Sequence, residues 1–225
     1  MSEQKQMSDS YGLGILLALT GGYLDAYTYL LRGGVFANAQ TGNIVLLGIS
    51  LARQDWSRAG YYTVPILTFA AGVLVTELIR ARYQYAATLH WRQIILSVEI
   101  LVLVGVVLLP LGRMDMLANV LVSFVCALQV QSFRKVDGNS MATTMCTGNL
   151  RSGTELLCRY WRTGERSLLR RAGEYYGIIL TFVIGAAVGA LLSMSGDGRV
   201  VLAPAVLLAV AFLLMFQEGK HTTKT

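Results

Sequence analysis

Long apolar stretches are the feature that most restricts how this chain can fold. Several stretches of about 18 to 22 residues carry almost no charge, and a helix of that length spans the roughly 30 Å hydrocarbon core of a bilayer. Of the 225 residues, 54% are hydrophobic and only 14% are charged, whereas about a quarter of the residues in a soluble domain are charged. The chain is therefore predicted to be an all-α integral membrane protein.

Apolar length and flanking charge predict about six transmembrane helices, at roughly 11–31, 59–79, 93–111, 115–133, 173–194 and 199–217. They form a single transmembrane domain, 11–217, between a polar N-terminal tail, 1–10, and a polar C-terminal tail, 218–225. The N-terminal tail contains acidic residues and lacks the basic-then-apolar layout of a cleavable signal peptide. The first helix is therefore expected to stay in the protein.

The tripeptide Thr-Gly-Asn occurs twice, at 41–43 and 147–149, and a short helical stretch follows it each time. The two copies are 106 residues apart, which predicts an internal duplication with one repeat at about 11–111 and the other at about 115–217. Three crossings per repeat make the second repeat enter the membrane from the opposite side. We therefore predict two inverted three-helix repeats, each with a re-entrant or broken Thr-Gly-Asn helix.

The distribution of Lys and Arg predicts the orientation, because cytoplasmic loops carry an excess of positive charge. With six crossings and both termini in the cytoplasm, 14 of the 19 Lys and Arg residues lie on the cytoplasmic side and five on the other. If both Thr-Gly-Asn segments also crossed, the split would weaken to about 11 against seven. We therefore prefer six crossings, although the 35–52 segment is apolar enough to span or to re-enter.

The two Thr-Gly-Asn segments are candidate parts of a substrate site. Thr can cap a helix and Gly allows close approach, so both segments are read as helix starts that tuck into the bundle. Two half-helices that aim their N-terminal ends at a shared site would favour an anionic or polar solute. The alternative is a tight turn that satisfies only its own backbone. The candidate substrate-binding residues are Thr41, Gly42, Asn43, Thr147, Gly148, Asn149, Asp25, Asn38 and Gln131.

Two acidic residues inside predicted helices are candidate coupling acids. Asp25 lies in the first helix and Glu99 in the third, and a carboxylate there costs about 3 kcal/mol unless it is paired, hydrated or protonated. At the 106-residue offset the counterpart of Asp25 is Gln131, so a proton-coupling role would differ between the repeats. The alternative for each acid is an interhelical hydrogen bond.

Several further features bear on partners. A basic stretch between the second Thr-Gly-Asn segment and the fifth helix is expected to contact anionic lipid headgroups at the cytoplasmic surface. Its residues are Arg159, Arg162, Arg166, Arg170 and Arg171. The net charge of +6 sits at helix ends instead of on one continuous face, which argues against nucleic acid. The glycine-rich fifth helix could support a homodimer. No metal-ligand cluster is recognised, and no cofactor is expected.

The motifs also carry a family resemblance. Gly22-Tyr23-Leu24-Asp25-Ala26, the run from Phe36 to Asn43, and Ala142-Thr143-Thr144 followed by Thr147-Gly148-Asn149 resemble the YoaK-like family of bacterial membrane proteins. The similarity extends from about residue 11 to 217. It implies a multi-pass bacterial inner-membrane protein whose domain is one of unknown function, and it transfers no substrate or catalytic residue.

From the residues themselves we predict a small transporter or channel for a small polar or anionic solute. A membrane scaffold or assembly factor without a solute path is the main alternative. An intramembrane enzyme is disfavoured, because the two histidines, His90 and His221, lie in predicted cytoplasmic segments away from any plausible nucleophile.

Overall fold

The computed structural model describes residues 10–83, 91–136 and 139–221 and is built almost entirely from helices. A two-stranded antiparallel pair, β1 (Lys135–Val136) and β2 (Asn139–Ser140), follows the fifth helix. A short 3-10 helix, Gly198–Val201, precedes the last helix. The helices are α1 (Tyr11–Leu31), α2 (Gln40–Ala52), α3 (Trp56–Tyr83), α4 (Trp91–Val106), α5 (Asp115–Ser132), α6 (Cys146–Thr163), α7 (Arg166–Ser193) and α8 (Leu202–His221).

All six apolar segments expected to cross the membrane are helical, and four spans among the described residues are long and apolar enough to do so. They are Trp56–Tyr83, Asp115–Ser132, Arg166–Ser193 and Gly198–Met215. Of the other two helices, α1 has 21 residues but includes Asp25 and several Gly, Thr and Tyr residues, and α4 has only 16 residues. The chain is thus an all-helical membrane protein, and the number of six crossings stays a prediction.

Two helix boundaries differ by five residues or more from the expected ones. Helix α4 ends at Val106 instead of near 111, and the guanidinium of Arg32 donates hydrogen bonds to the carbonyls of Val106 and Leu109 there. The chain then turns at Gly112, which has a left-handed φ of +80°. Helix α7 begins at Arg166 instead of near 173, so all five arginines of the basic stretch lie in helices, two in α6 and three in α7. The Thr-Gly-Asn tripeptides lie in the first turns of α2 and α6, and both segments are helix starts as predicted.

Helices α1 and α7 are in backbone contact through glycines. A methyl group added at Gly22 would overlap the carbonyl of Phe182, and one at Gly185 would overlap the carbonyl of Leu19. Gly189 lies in the same way against the backbone of Tyr23. The contact partners advance together along both helices, so α1 and α7 run in the same direction. Small residues allow this approach in lipid, where hydrophobic burial does not drive helix association.

Helices α3 and α5 pack in a similar way. Gly72 of α3 lies against Phe124 and Ala127 of α5, and further along both helices the side chain of Gln131 donates a hydrogen bond to Glu77. These two helices also run in the same direction. In addition, α2 packs on α3, α6 packs on α7, α4 packs on both α5 and α8, and α8 packs on α1.

A buried arginine defines one end of the bundle. Arg32, directly after α1, has no exposed side-chain surface and lies 3.2 Å from Asp115 at the start of α5. Its guanidinium donates to carbonyls at the end of α4, including that of Leu109 at 3.0 Å, and to the hydroxyl of Tyr27 at 2.8 Å. We call this region the Arg32 end. The opposite region, where α3 and α5 finish beside Arg134, is the Arg134 end.

Candidate functional site

Asp25 anchors a buried polar cluster in the middle of α1. Its side chain is only 4% exposed, and its Oδ1 accepts a hydrogen bond from the backbone N–H of Asn38 at 2.6 Å and a longer one from that of Ala39 at 3.5 Å. Both donors immediately precede α2, where a negative charge is favoured by the helix dipole. The carboxylate of Asp25 therefore caps the N-terminal end of α2, although Asp25 belongs to α1.

This arrangement corrects the expected capping role of threonine. The residue before α2 is Ala39 and the residue before α6 is Met145, and neither makes a side-chain capping hydrogen bond. Thr41 and Thr147 lie just inside the helices with exposed side chains. The free N–H groups before α2 are satisfied by a carboxylate from a distant part of the chain, which a local motif does not reveal.

Asn38 links the loop before α2 to α1. Its Nδ2 donates to the carbonyl of Gly21 at 3.2 Å, one turn before Asp25 on the same helix. The side chain also lies beside the thiol of Cys126 on α5. Its Oδ1 is buried without a hydrogen-bond partner among the described residues. The predicted site residues Asn38 and Asp25 are therefore in direct contact.

The loop before α6 reaches the same turn of α1. A methyl group added at Gly21 would overlap the side-chain methyl of Thr144. Cys146, the first residue of α6, follows Thr144 by two residues. Both loops that precede the Thr-Gly-Asn helices therefore contact the Gly21–Asp25 turn, and we call the residues that meet there the central cluster: Gly21, Asp25, Asn38 and Thr144.

The two asparagines of the Thr-Gly-Asn tripeptides hold their own loops. Asn43 donates through Nδ2 to the carbonyl of Phe36 at 2.7 Å and accepts from the N–H of Phe36 at 3.0 Å. Asn149 donates to the carbonyl of Ala142 at 2.6 Å, also seven residues earlier in the chain. The same interaction thus recurs in both halves. Gly42 packs against the ring of Phe36.

Several buried polar atoms have no hydrogen-bond partner in the described part of the chain. On α5 they include Asn119 Oδ1, Ser123 Oγ and Gln129 Nε2, and Thr143 Oγ1 lies in the loop before α6. Glu99 on α4 is only 2% exposed, and its Oε1 also has no hydrogen-bond partner among the described residues. Buried polar groups are almost always paired with protein or with ordered water. These atoms are suited to binding water or a polar solute.

Gln131 is separated from the central cluster. It lies at the Arg134 end and donates to Glu77, which also pairs with Arg80 and Arg134 at 3.5 and 3.4 Å. A cavity of about 290 Å³, which we call the α6 cavity, extends from Gln131 and Arg134 to the start of α6. Gly148 and Asn149 contribute to its lining. The cavity thus connects one end of the bundle with the second Thr-Gly-Asn helix.

Five of the nine predicted substrate-binding residues accordingly fall into two groups, and the other four, Thr41, Gly42, Asn43 and Thr147, lie in neither. Asp25 and Asn38 meet at the centre, while Gln131, Gly148 and Asn149 line the α6 cavity. Sequence reasoning missed Thr144, for which the recurrence of the loop itself was the available signal. The solute-binding roles assigned from the sequence stay predictions, as do the coupling roles of Asp25 and Glu99. Within the described residues, no group of three or more His, Cys, Asp and Glu side chains is arranged to hold a metal ion.

Comparison with known proteins assigns a family. The profile of a family described as "Protein of unknown function (DUF1275)" matches residues 13–214. The UPF0700 transmembrane protein YoaK of Bacillus subtilis (strain 168) is 26% identical over 184 residues, which cover 78% of this chain and 80% of that protein. No solved structure matches the chain. The resemblance to the YoaK-like family predicted from the motifs is thereby confirmed.

Proposed function

We propose that this chain, which belongs to the DUF1275 family of proteins of unknown function, is a small transporter or channel for a small polar or anionic solute. The observation that carries the proposal is the contact of both pre-helix loops with the Gly21–Asp25 turn of α1. Interrupted helices that meet inside a bundle are a common way to build a solute site in membrane transporters.

Buried polarity supports the same proposal. In lipid, non-helical backbone persists only where it is covered by protein or lines a watery cavity, and the loops beside the central cluster contain both Asn38 and Thr143 with unpartnered buried atoms. The α6 cavity offers a route towards this region from the Arg134 end. We propose that a solute enters through the α6 cavity, and that Asp25 and Asn38 contact it at the centre.

The helix pairing supports the proposal of two inverted repeats. The first helix of each half runs along the third helix of the other half, as α1 does with α7 and α5 does with α3. Helix α1 runs towards the Arg32 end, whereas α5 begins there with Asp115. Equivalent helices that run in opposite directions are the property of an inverted repeat.

We further propose an orientation in a bacterial inner membrane, with both termini in the cytoplasm. Arg80, Arg92, Arg134 and Lys135 gather at the Arg134 end, which fits the excess of positive charge on cytoplasmic loops. Single cysteines introduced by Asp55→Cys and Glu165→Cys in a cysteine-free background should react from opposite faces of the membrane. Reaction of both from the same face would refute the six-crossing layout.

Solute uptake into proteoliposomes tests the transport proposal. The purified chain is screened with small anions, amino acids and neutral polar metabolites, and wild type is compared with Asp25→Asn and with the exposed control Arg113→Gln. We expect at least one solute to be taken up above empty liposomes. Asp25→Asn should slow this uptake by about tenfold or more, as loss of roughly 1.4 kcal/mol would do. Folded wild-type protein that takes up none of these solutes would contradict the proposal.

A scaffold or assembly factor is the second candidate. The hydrogen bonds of Asn43 and Asn149 are made to their own loops, which is what a purely structural turn requires. Partners in such a role would include anionic lipid at the basic residues between Arg159 and Arg171, and a second copy of the chain. Gly185 and Gly189 are covered by α1 of the same chain, so a homodimer would need another surface of α7.

A further inference from the structure

A second cavity lies at the Arg134 end, beside the α6 cavity. It has a volume of about 260 Å³, and we call it the basic cavity. Four cationic side chains line it, contributed by three separate parts of the chain: Arg80 from α3, Arg92 from α4, and Arg134 with Lys135 after α5. Its described lining contains no carboxylate. Convergence of four cations in one concave site creates a strong positive potential.

The arginines of the basic cavity are held in place. Arg92 donates through Nε to the carbonyl of Ser132 at 3.1 Å, and its guanidinium lies over the rings of Trp91 and Phe133. Glu77 lies between Arg80 and Arg134, within 3.5 and 3.4 Å of their guanidinium groups. One carboxylate therefore neutralises only part of the charge of two arginines, while it fixes their positions.

A buried hydroxyl adds a further hydrogen-bond donor to the cationic side chains of the basic cavity. Ser132 lines the cavity, is 3% exposed, and its Oγ has no hydrogen-bond partner among the described residues. A hydroxyl beside guanidinium groups suits a multiply charged oxyanion, because planar guanidinium groups bind phosphate oxygens with directed hydrogen bonds. Since a water molecule takes about 30 Å³ of liquid volume, the cavity has room for a phosphoryl group with a further substituent.

We propose that the basic cavity binds a phosphate-bearing anion, which Arg80, Arg134, Lys135 and the Ser132 hydroxyl hold by its phosphate oxygens. The cavity lies at a helix-end surface, so the phosphate group comes either from a lipid headgroup or from a soluble phosphate compound. This site goes beyond the proposed transport function, because binding here requires no solute to cross the membrane.

Two binding measurements on the purified full-length protein test the proposal and separate the two sources. In detergent, inorganic phosphate is titrated at constant ionic strength and thermal unfolding is followed, with chloride as the reference salt. In parallel, native mass spectrometry measures binding of phosphatidic acid, which carries a phosphate monoester, against phosphatidylglycerol. Stabilisation by phosphate assigns a soluble ligand, and preferential retention of phosphatidic acid assigns a lipid. Either result supports the site, and no binding in both arms overturns it.

Variants connect the binding to the cavity. We expect the double change Arg80→Gln with Arg134→Gln to weaken binding by about tenfold or more, while Arg113→Gln, at the opposite end of the bundle, leaves it unchanged. If the double variant does not fold, Ser132→Ala and Glu77→Gln replace it. Ser132→Ala should weaken binding, and Glu77→Gln should strengthen it by removing a competing carboxylate. Wild-type binding in the folded variants would overturn the assignment.

Discussion

The carboxylate of Asp25 accepts a hydrogen bond at 2.6 Å from the backbone N–H of Asn38, 13 residues further along the chain. The first long helix thereby supplies an anion to the start of the broken helix that follows it. In the second half the equivalent position is Gln131, whose side chain donates a hydrogen bond to Glu77 instead. The start of α2 is therefore closed by the protein's own carboxylate, whereas the start of α6 faces a cavity.

Replacement of Asp25 should loosen the loop before α2. Asp25→Ala removes the acceptor of two backbone N–H groups in a buried site, which costs about 1–3 kcal/mol of stability when the donors stay unsatisfied. Thermal unfolding of the purified protein in mild detergent measures this loss. The matched control is Asp197→Ala, since Asp197 also accepts a backbone N–H, from Arg199 at 2.8 Å, but is exposed. Equal loss in both variants would contradict the role assigned to Asp25.

The glycine contact between α1 and α7 should be intolerant of a methyl group. Gly185→Ala forces a Cβ against the carbonyl of Leu19, and overpacking of this kind costs about 1–3 kcal/mol because backbone atoms cannot move aside cheaply. Gly173→Ala on the same helix is the control, since a Cβ there meets nothing within 4 Å. The control should be neutral or slightly stabilising. The comparison is made by thermal unfolding, and similar stability of the two variants would exclude the close packing described.

The two Thr-Gly-Asn asparagines should behave alike. Asn43→Ala and Asn149→Ala each remove a side chain that holds a loop carbonyl seven residues earlier, and each should lower stability by about 1–3 kcal/mol. Thr41→Ala and Thr147→Ala, whose side chains are exposed, serve as neighbouring controls with little expected effect. Unfolding measurements on all four variants test this. Loss confined to the threonine variants would show that the loops are held in another way.

Replacement of Arg32 should destabilise the protein even when the new residue is lysine. Its buried guanidinium contacts Asp115, Tyr27 and carbonyls of the α4–α5 turn at once, and a lysine ammonium cannot reproduce this fork of donors. Arg32→Lys should therefore destabilise the protein by about 1–3 kcal/mol, whereas Arg113→Lys, in the exposed part of the same turn, should not. Limited proteolysis of the α4–α5 turn reports the change. Unaltered cleavage and stability would contradict the anchoring role.

The positions of the helices could be predicted from the sequence better than the contacts between them. Apolar length placed α1 at 11–31, as the structure has it, because each membrane helix satisfies its own backbone. The early end of α4 was not predictable, since it depends on Arg32, a distant residue that binds the carbonyls at that end. The start of α7 at Arg166 was not predicted, because the charged residues in its first turns do not belong to an apolar stretch.

The candidate site was predicted only in part, for a similar reason. Asp25 and Asn38 were recognisable as polar residues in apolar surroundings, but their hydrogen bond depends on how the loop folds back onto α1. The contact of Thr144 with Gly21 joins residues more than a hundred positions apart. The basic cavity likewise combines Arg80 with Arg134, and their spacing in the sequence does not indicate that they line one cavity. Tertiary contacts of this kind leave no local pattern.

Access of water to the central cluster is the property on which the proposed function depends, and Cys146, a half-buried cysteine two residues after Thr144, is the native probe for it. A variant that keeps Cys146 but carries Cys126→Ala and Cys158→Ser is treated with a membrane-impermeant, charged thiol reagent from each side. Variants that keep only the exposed Cys158 or only the buried Cys126 set the fast and slow limits. We predict that Cys146 reacts much faster than Cys126, from the side of the Arg134 end. Reaction as slow as that of Cys126 from both sides would mean a dry interior and would contradict the account.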